Sequence, residues 1–141
     1  MKVIIFDTEY LSLSKKLSDL KNLKNFQKKL FPEIIQISFL NCSNIYLKKK
    51  QKKLNIFIKV KQNIPQRITK LTNITLSILQ KKGYFFEESM KLIDKFVNSK
   101  SILIANGDDL KLLKMNIKFN NIKRKKKKLV NFINLKKILK R

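Results

Sequence analysis

The spacing of apolar positions changes several times along this chain, and each change predicts a new element. Residues 2–6 are a short β-rich run ending at an acidic pair, which predicts a buried first strand. From 11 to 31 the period lengthens. Leu13, Leu17, Leu20, Leu23, Phe26 and Leu30 recur every three or four residues with lysines between them. That pattern predicts a basic amphipathic insertion packed on the domain's own core. Pro32 punctuates it, and residues 33–40 predict a second strand too apolar to face solvent. The lysine-rich run 48–53 suits a hairpin turn. Over 55–61, Ile56, Ile58 and Val60 alternate with Phe57 and Lys59, which predicts a third strand. The chain therefore opens as a three-strand meander.

Helical spacing follows. Thr75 is placed to cap a short helix through Leu76, Ile78 and Leu79, with Gly83 at its C-terminal end. A second helix aligns Phe86, Met90, Ile93 and Val97 on one stripe, with Glu87 and Glu88 near its N-terminus, where the helix dipole favours negative charge. Residues 101–105 predict a fourth strand. Asn106, Gly107 and Asp108 turn it into a helix carrying Leu110, Leu113 and Met115, and a basic block at 123–128 precedes a last apolar segment, 129–139. A meander followed by alternating helices and strands predicts an α/β domain with a mixed sheet and helices packed on it. With 141 residues, one domain spanning 1–141 is expected.

The hydrophobic fraction, 43%, supports a real core. Formal net charge is +25, from 34 basic against 9 acidic residues, which predicts attraction to polyanions such as nucleic acid. Lysine excess alongside abundant Asn and Ile is also what AT-rich coding produces, so the charge supports a reading and does not carry one. Cys42 is the single cysteine, which excludes a disulfide framework and a cysteine zinc cluster. The apolar run at the N-terminus is cut off by Asp7, too short for a signal peptide or a membrane span. No membrane association and a cytoplasmic location are the expectations.

Chemistry concentrates at strand ends. Asp7 and Glu9 stand two apart at the end of the first strand, so alternation puts both carboxylates on one face. Paired hard oxygen ligands suit Mg²⁺ or Mn²⁺ rather than zinc. Asp109 follows another buried strand through a small turn, the natural place for a third carboxylate to approach them. Clustered carboxylates repel unless a cation holds them. The ends of strands one and four are therefore expected to meet, with Asp7, Glu9 and Asp109 within shared metal-coordination distance.

These segments, in this order, resemble the DEDD-type 3′–5′ exonucleases, the proofreading-exonuclease and oligoribonuclease relatives with an RNase H-like fold. Ile4-Ile5-Phe6-Asp7-Thr8-Glu9-Tyr10 is similar to their first exonuclease motif, and Glu33-Ile34-Ile35-Gln36-Ile37 to their second strand. Leu71-Thr72-Asn73-Ile74-Thr75 resembles the Leu-Thr-Gly-Ile-Thr segment bordering the terminal-nucleotide pocket, and Ile104-Ala105-Asn106-Gly107-Asp108-Asp109-Leu110 the second motif. Ile133-Asn134-Leu135-Lys136-Lys137 has a counterpart in the strand that follows.

The resemblance implies metal-dependent phosphodiester hydrolysis from the 3′ end of single-stranded RNA or DNA, with two ions clamping the scissile phosphate. Asp7, Glu9 and Asp109 would be catalytic and would ligate Mg²⁺ or Mn²⁺. Asp108 would be a helix N-terminal residue. Thr8, Tyr10, Thr72, Asn73 and Ile74 would contact substrate. Asn73 stands where the family has Gly, a position Asn can fill in left-handed backbone. The family's third motif brings a general-base His (or Tyr) and a fourth Asp. This sequence has no His and no acidic residue after Asp109, so a domain incomplete at the C-terminus is expected. Such a domain would leave a sheet face for a protein partner to cover. A non-catalytic nucleic-acid-binding protein, or an inactive truncated product, is the alternative.

Overall fold

A computed structural model describes residues 2–11, 31–42, 51–123 and 131–138. The basic insertion expected at 11–31 therefore falls, for 12–30, outside the described residues, as do half of the predicted hairpin turn and nearly all of the basic block. Five strands form one sheet in the order β3-β2-β1-β4-β5. Strands β1 (Lys2–Tyr10), β2 (Ile34–Asn41) and β3 (Lys53–Phe57) are the antiparallel meander the alternation predicts. Strand β4 (Ser101–Ala105) lies parallel to β1, and β5 (Asn131–Asn134) parallel to β4. The result is the mixed α/β sheet anticipated from the pattern.

Strand β1 runs four residues past the apolar stretch and carries Asp7 and Glu9 inside the sheet rather than in a turn after it. The neighbouring strand explains this. Pairing with β2 continues through Thr8–Ile37 and Glu9–Gln36, with a register irregularity before Tyr10, so backbone bonding sustains the strand where the side chains become polar. Pairing with β4 stops at Ile5–Ile104, which leaves the last turn of β1 open on that side.

Alternation divides the sheet. Ile4, Phe6, Ile37, Phe39, Ile56, Leu103 and Ala105 enter one core with Met90 and Ile93 of helix α3 (Phe86–Phe96) and with Leu112 and Leu113 of α4 (Asp109–Phe119). Phe6 stacks on Phe39 at 5.6 Å between ring centroids and meets Phe132 of β5 at 6.2 Å. A second cluster at the sheet's end joins Leu11, Ile35 and Val60 to Ile68 of α1 (Gln66–Thr72), Ile74, and Leu79 of α2 (Leu76–Lys82). On the other face, Ile5 of the central strand is 42% exposed.

Helix α1 has no counterpart in the sequence reading, because only Ile68 of its seven residues is buried. Its end is legible: Asn73 takes φ 56°, the left-handed conformation that closes the helix. The capping of α2 is as expected at Thr75, whose hydroxyl accepts from the Ile78 N–H at 3.2 Å. Gly83 differs. Its φ is −80°, so the turn does not need left-handed backbone. The requirement is space: a Cβ there would run into the Leu79 carbonyl and lie 3.1 Å from the Lys59 nitrogen. A short helix α5 (Leu135–Ile138) follows β5 directly.

One polar side chain locks α4 to the sheet. Asn116 is buried, where the spacing of α4 alone would place another aliphatic residue. Its amide donates to the carbonyls of Pro32 and Leu112, both at 3.0 Å, and its Oδ1 accepts from the Ile34 N–H at 3.1 Å. It thereby satisfies backbone groups just where the chain enters β2. Asn116→Leu, similar in shape, would strand the Ile34 N–H and the Pro32 carbonyl. A loss of about 2–4 kcal/mol of unfolding free energy is expected, read as a lower urea midpoint.

Candidate functional site: an acidic cleft at the end of the central strand

Where β4 ends, the turn Asn106–Asp108 leads into α4, and a cleft of about 240 Å³ opens between this turn and the end of β1. Asp7, Thr8, Tyr10, Asn106, Gly107, Asp108, Asp109 and Leu112 line it. Asn134, the last residue of β5, donates to the Gly107 carbonyl at 2.7 Å and so ties the turn down from the sheet's far edge. Asp108 stands at the N-cap of α4, as the helix N-terminal role predicts, and makes no side-chain capping bond.

Asp109 opens α4 and reaches across to β1. Its Oδ1 accepts from the Thr8 hydroxyl at 2.6 Å and from the Thr8 N–H at 3.1 Å. That N–H lies beyond the end of β4 pairing, so the carboxylate supplies the partner that the strand no longer offers. Thr8 is itself buried, on the face that carries Ile4 and Phe6. Asp7 and Glu9, one residue to either side, project from the opposite face.

The three carboxylates nonetheless sense one another. The Asp7 carboxyl is pushed above its ordinary pKa of 3.8 by partial desolvation and then by the Asp109 charge, against a lowering contribution from the Thr8 backbone. Glu9 is pushed above 4.5 by partial desolvation, then by Asp7 and Asp109. The Tyr10 phenol is raised above its ordinary value by desolvation and then by Asp109, Asp108 and Glu9. In a chain of net charge +25, this corner is locally anionic.

The expected three-carboxylate cage is not closed in this arrangement. Among the described residues, no group of three or more His, Cys, Asp or Glu side chains is placed to hold a metal ion. Asp7 and Asp109 line one cleft, with Asp109 Oδ1 taken up by Thr8. Glu9 does not line the cleft. In donor chemistry the residues suit a hard divalent cation, being carboxylates whose repulsion a cation would relieve. Asp7 and Glu9 would be its holding pair, and Asp109, whose Oδ1 accepts from Thr8, would have Oδ2 left to join them.

The substrate-contact candidates divide. Thr8 and Tyr10 line the cleft, although the Thr8 hydroxyl is occupied by Asp109. Thr72, Asn73 and Ile74 do not line it. The Thr72 hydroxyl donates to the Ile68 carbonyl at 2.8 Å and accepts from the Ile74 N–H at 3.2 Å, and the Ile74 side chain is buried in the second core cluster. Asn106, Gly107 and Leu112 are cleft residues, and Asn134 a support, that motif reading alone did not assign.

Solved exonucleases superpose on this fold. An exonuclease I from Methylocaldum szegediense superposes with a TM-score of 0.71 at 11% identity, the match covering 98% of this chain and 28% of that one. A product-bound exonuclease I gives 0.70 at 10% identity, covering 98% and 30%. A full-length 3′-exonuclease gives 0.66 at 14% identity, covering 86% and 40%. The fold is the RNase H-like fold of the exonucleases. This chain spans about three-tenths of the length of the exonuclease I structures. No family model and no curated protein matches the sequence.

The mutual repulsion has a measurable consequence for stability. A carboxyl whose pKa is raised in the folded protein favours folding while protonated and opposes it once ionised. The destabilisation is absent below the ordinary values of 3.8 and 4.5 and develops as pH rises above them. Asp7→Asn and Glu9→Gln should therefore each raise the melting temperature at pH 7 in chelator-treated protein. The difference from wild type should shrink towards pH 4. Equal melting of wild type and variants at both pH values would mean that the fold does not raise these carboxyls.

Proposed function

We propose that this chain is an exonuclease-type domain that takes the 3′ end of single-stranded RNA or DNA into the cleft between β1 and α4 and hydrolyses its terminal phosphodiester. The observation that supports it best is local: a strongly basic chain gathers Asp7, Glu9 and Asp109 at the end of the central strand of an exonuclease fold. Surface lysines draw the polyanion in, and counterion release makes that attraction salt-sensitive. Without a cation, the acidic corner would repel the phosphate it receives.

A bound Mg²⁺ or Mn²⁺ would supply that neutralisation, polarise the phosphate and lower the pKa of water. The chain's own groups do the positioning. The Asp7 carboxylate in the cleft, with Glu9 two residues on just outside it, would accept hydrogen bonds from water, the Tyr10 phenol would donate to a phosphate oxygen, and the Gly107 turn, held by Asn134, forms the opposite wall. The sequence contains no histidine to take the water's proton. Lack of general-base assistance typically slows such chemistry by about 10²–10⁴-fold, so binding is the stronger of the two activities.

Digestion of 3′-labelled single-stranded RNA and DNA with manganese present tests the proposal. Slow release of 3′ nucleotides is expected, abolished in Glu9→Ala, with salt-sensitive binding retained in the variant. Release equal in wild type and Glu9→Ala would reject the cleft as the reacting site. Binding without any release above the Glu9→Ala background would favour a non-catalytic nucleic-acid-binding domain.

A further inference from the structure

At the same end of the sheet as the acidic cleft, but on its other edge, two aromatic side chains stand in solvent. Phe85 is 62% exposed and Tyr84 45% exposed. They are consecutive, immediately before α3, and their backbone is held. Tyr84 donates its N–H to the Phe57 carbonyl and accepts from the Lys59 N–H, both at 2.9 Å, which adds it as a short parallel rung outside β3. Gly83 makes that approach possible, since a Cβ there would meet the Leu79 carbonyl and the Lys59 backbone. The Phe85 N–H is bonded at 2.9 Å to the Glu88 carboxylate. A base stacked on rings held on so constrained a backbone would remove apolar surface from water at little ordering cost.

Charge narrows the choice of occupant. The Lys59 ammonium lies 4.9 Å from the Phe85 ring centroid, and Lys81 and Lys82, both exposed, end α2 just before Gly83. The nearby acids are committed: Glu88 to the Phe85 N–H, and Glu87 to Lys91 at 3.2 Å. Exposed rings set among lysines match a base with its phosphate rather than a purely apolar peptide. Position agrees with this. Phe57 pairs with Gln36, and Gln36 with Glu9, so the Tyr84 rung lies three strand spacings from β1. That separation is about 15 Å, within reach of the same bound strand.

We propose that Phe85, flanked by Tyr84 and Lys59, is a stacking platform for a base of the single strand whose 3′ end enters the acidic cleft. The inference rests on the nucleic-acid reading of that cleft and adds a second contact on the 5′ side. The ring face takes the base, and Lys59, Lys81 and Lys82 meet the backbone phosphates. A dinucleotide would fill the cleft and fall short of Phe85. A longer strand would reach both.

The test compares fluorescence anisotropy of a labelled oligonucleotide of about ten residues, within the length single-strand folds span, with that of a dinucleotide. Measurements are made with Mg²⁺ present to neutralise the acidic corner, and hydrolysis is blocked by phosphorothioate linkages at the 3′ end of each ligand. Phe85→Ala should weaken the longer strand about tenfold and leave the dinucleotide unchanged, and Phe85→Trp should restore the affinity. Lys59→Gln should also lower the slope of log affinity against log salt by about one. Wild type that binds the longer strand with the affinity of Phe85→Ala would overturn the platform and leave the cleft reading standing. Wild type that binds neither ligand would overturn both. A general loss of folding is recognised by Phe85→Trp failing to restore binding and by a lowered melting temperature.

Discussion

The hydrogen bonds from Thr8 to Asp109 join the two halves of this molecule at its chemical corner. Strand β1 runs out of a parallel neighbour at Ile5, and α4 supplies a carboxylate where the missing strand would have bonded. That contact sets the start of α4 against the end of β1. Asn116 repeats the device about two turns along the helix, bonding the backbone that enters β2. Between these points Leu112 and Leu113 fill the core. The cleft is the space left where polar bonding, rather than aliphatic packing, holds helix to sheet.

This economy has an electrostatic consequence. Burial raises the pKa of Asp7 and Glu9, and the carboxylate that completes the backbone bonding of β1 adds to it. The folded protein keeps an unfavourable arrangement of charge at one corner, in a chain that otherwise has lysine to spare. Such repulsion is relieved by a cation or by protonation.

Much of the fold was legible because it follows from period. The meander, β4, α3 and the Thr75 cap of α2 all announce themselves through alternation, three-to-four spacing or a short capping side chain. Helix α1 did not, since a seven-residue helix with one buried side chain has no stripe to read. Asn116 was hidden for a related reason: a polar residue on a buried helical position is identified only by the backbone groups it meets. At the site, the three acids could be picked out by their placement after buried strands. Which face of β1 each approaches could not, because a bond such as Asp109 to Thr8 depends on where a neighbouring strand stops. The exposed Phe85 reads in sequence as one more apolar residue at a helix start; only the fold shows it 62% exposed.

The central claim is that the corner formed by β1 and the start of α4 is where a cation and a nucleic-acid 3′ end meet. Manganese-induced broadening of backbone amide signals, with a single-stranded oligonucleotide present, tests it most directly. The account predicts broadening centred on residues 7–10 and 106–109 and lost in Asp7→Asn. Broadening centred elsewhere, or unchanged in Asp7→Asn, would contradict it.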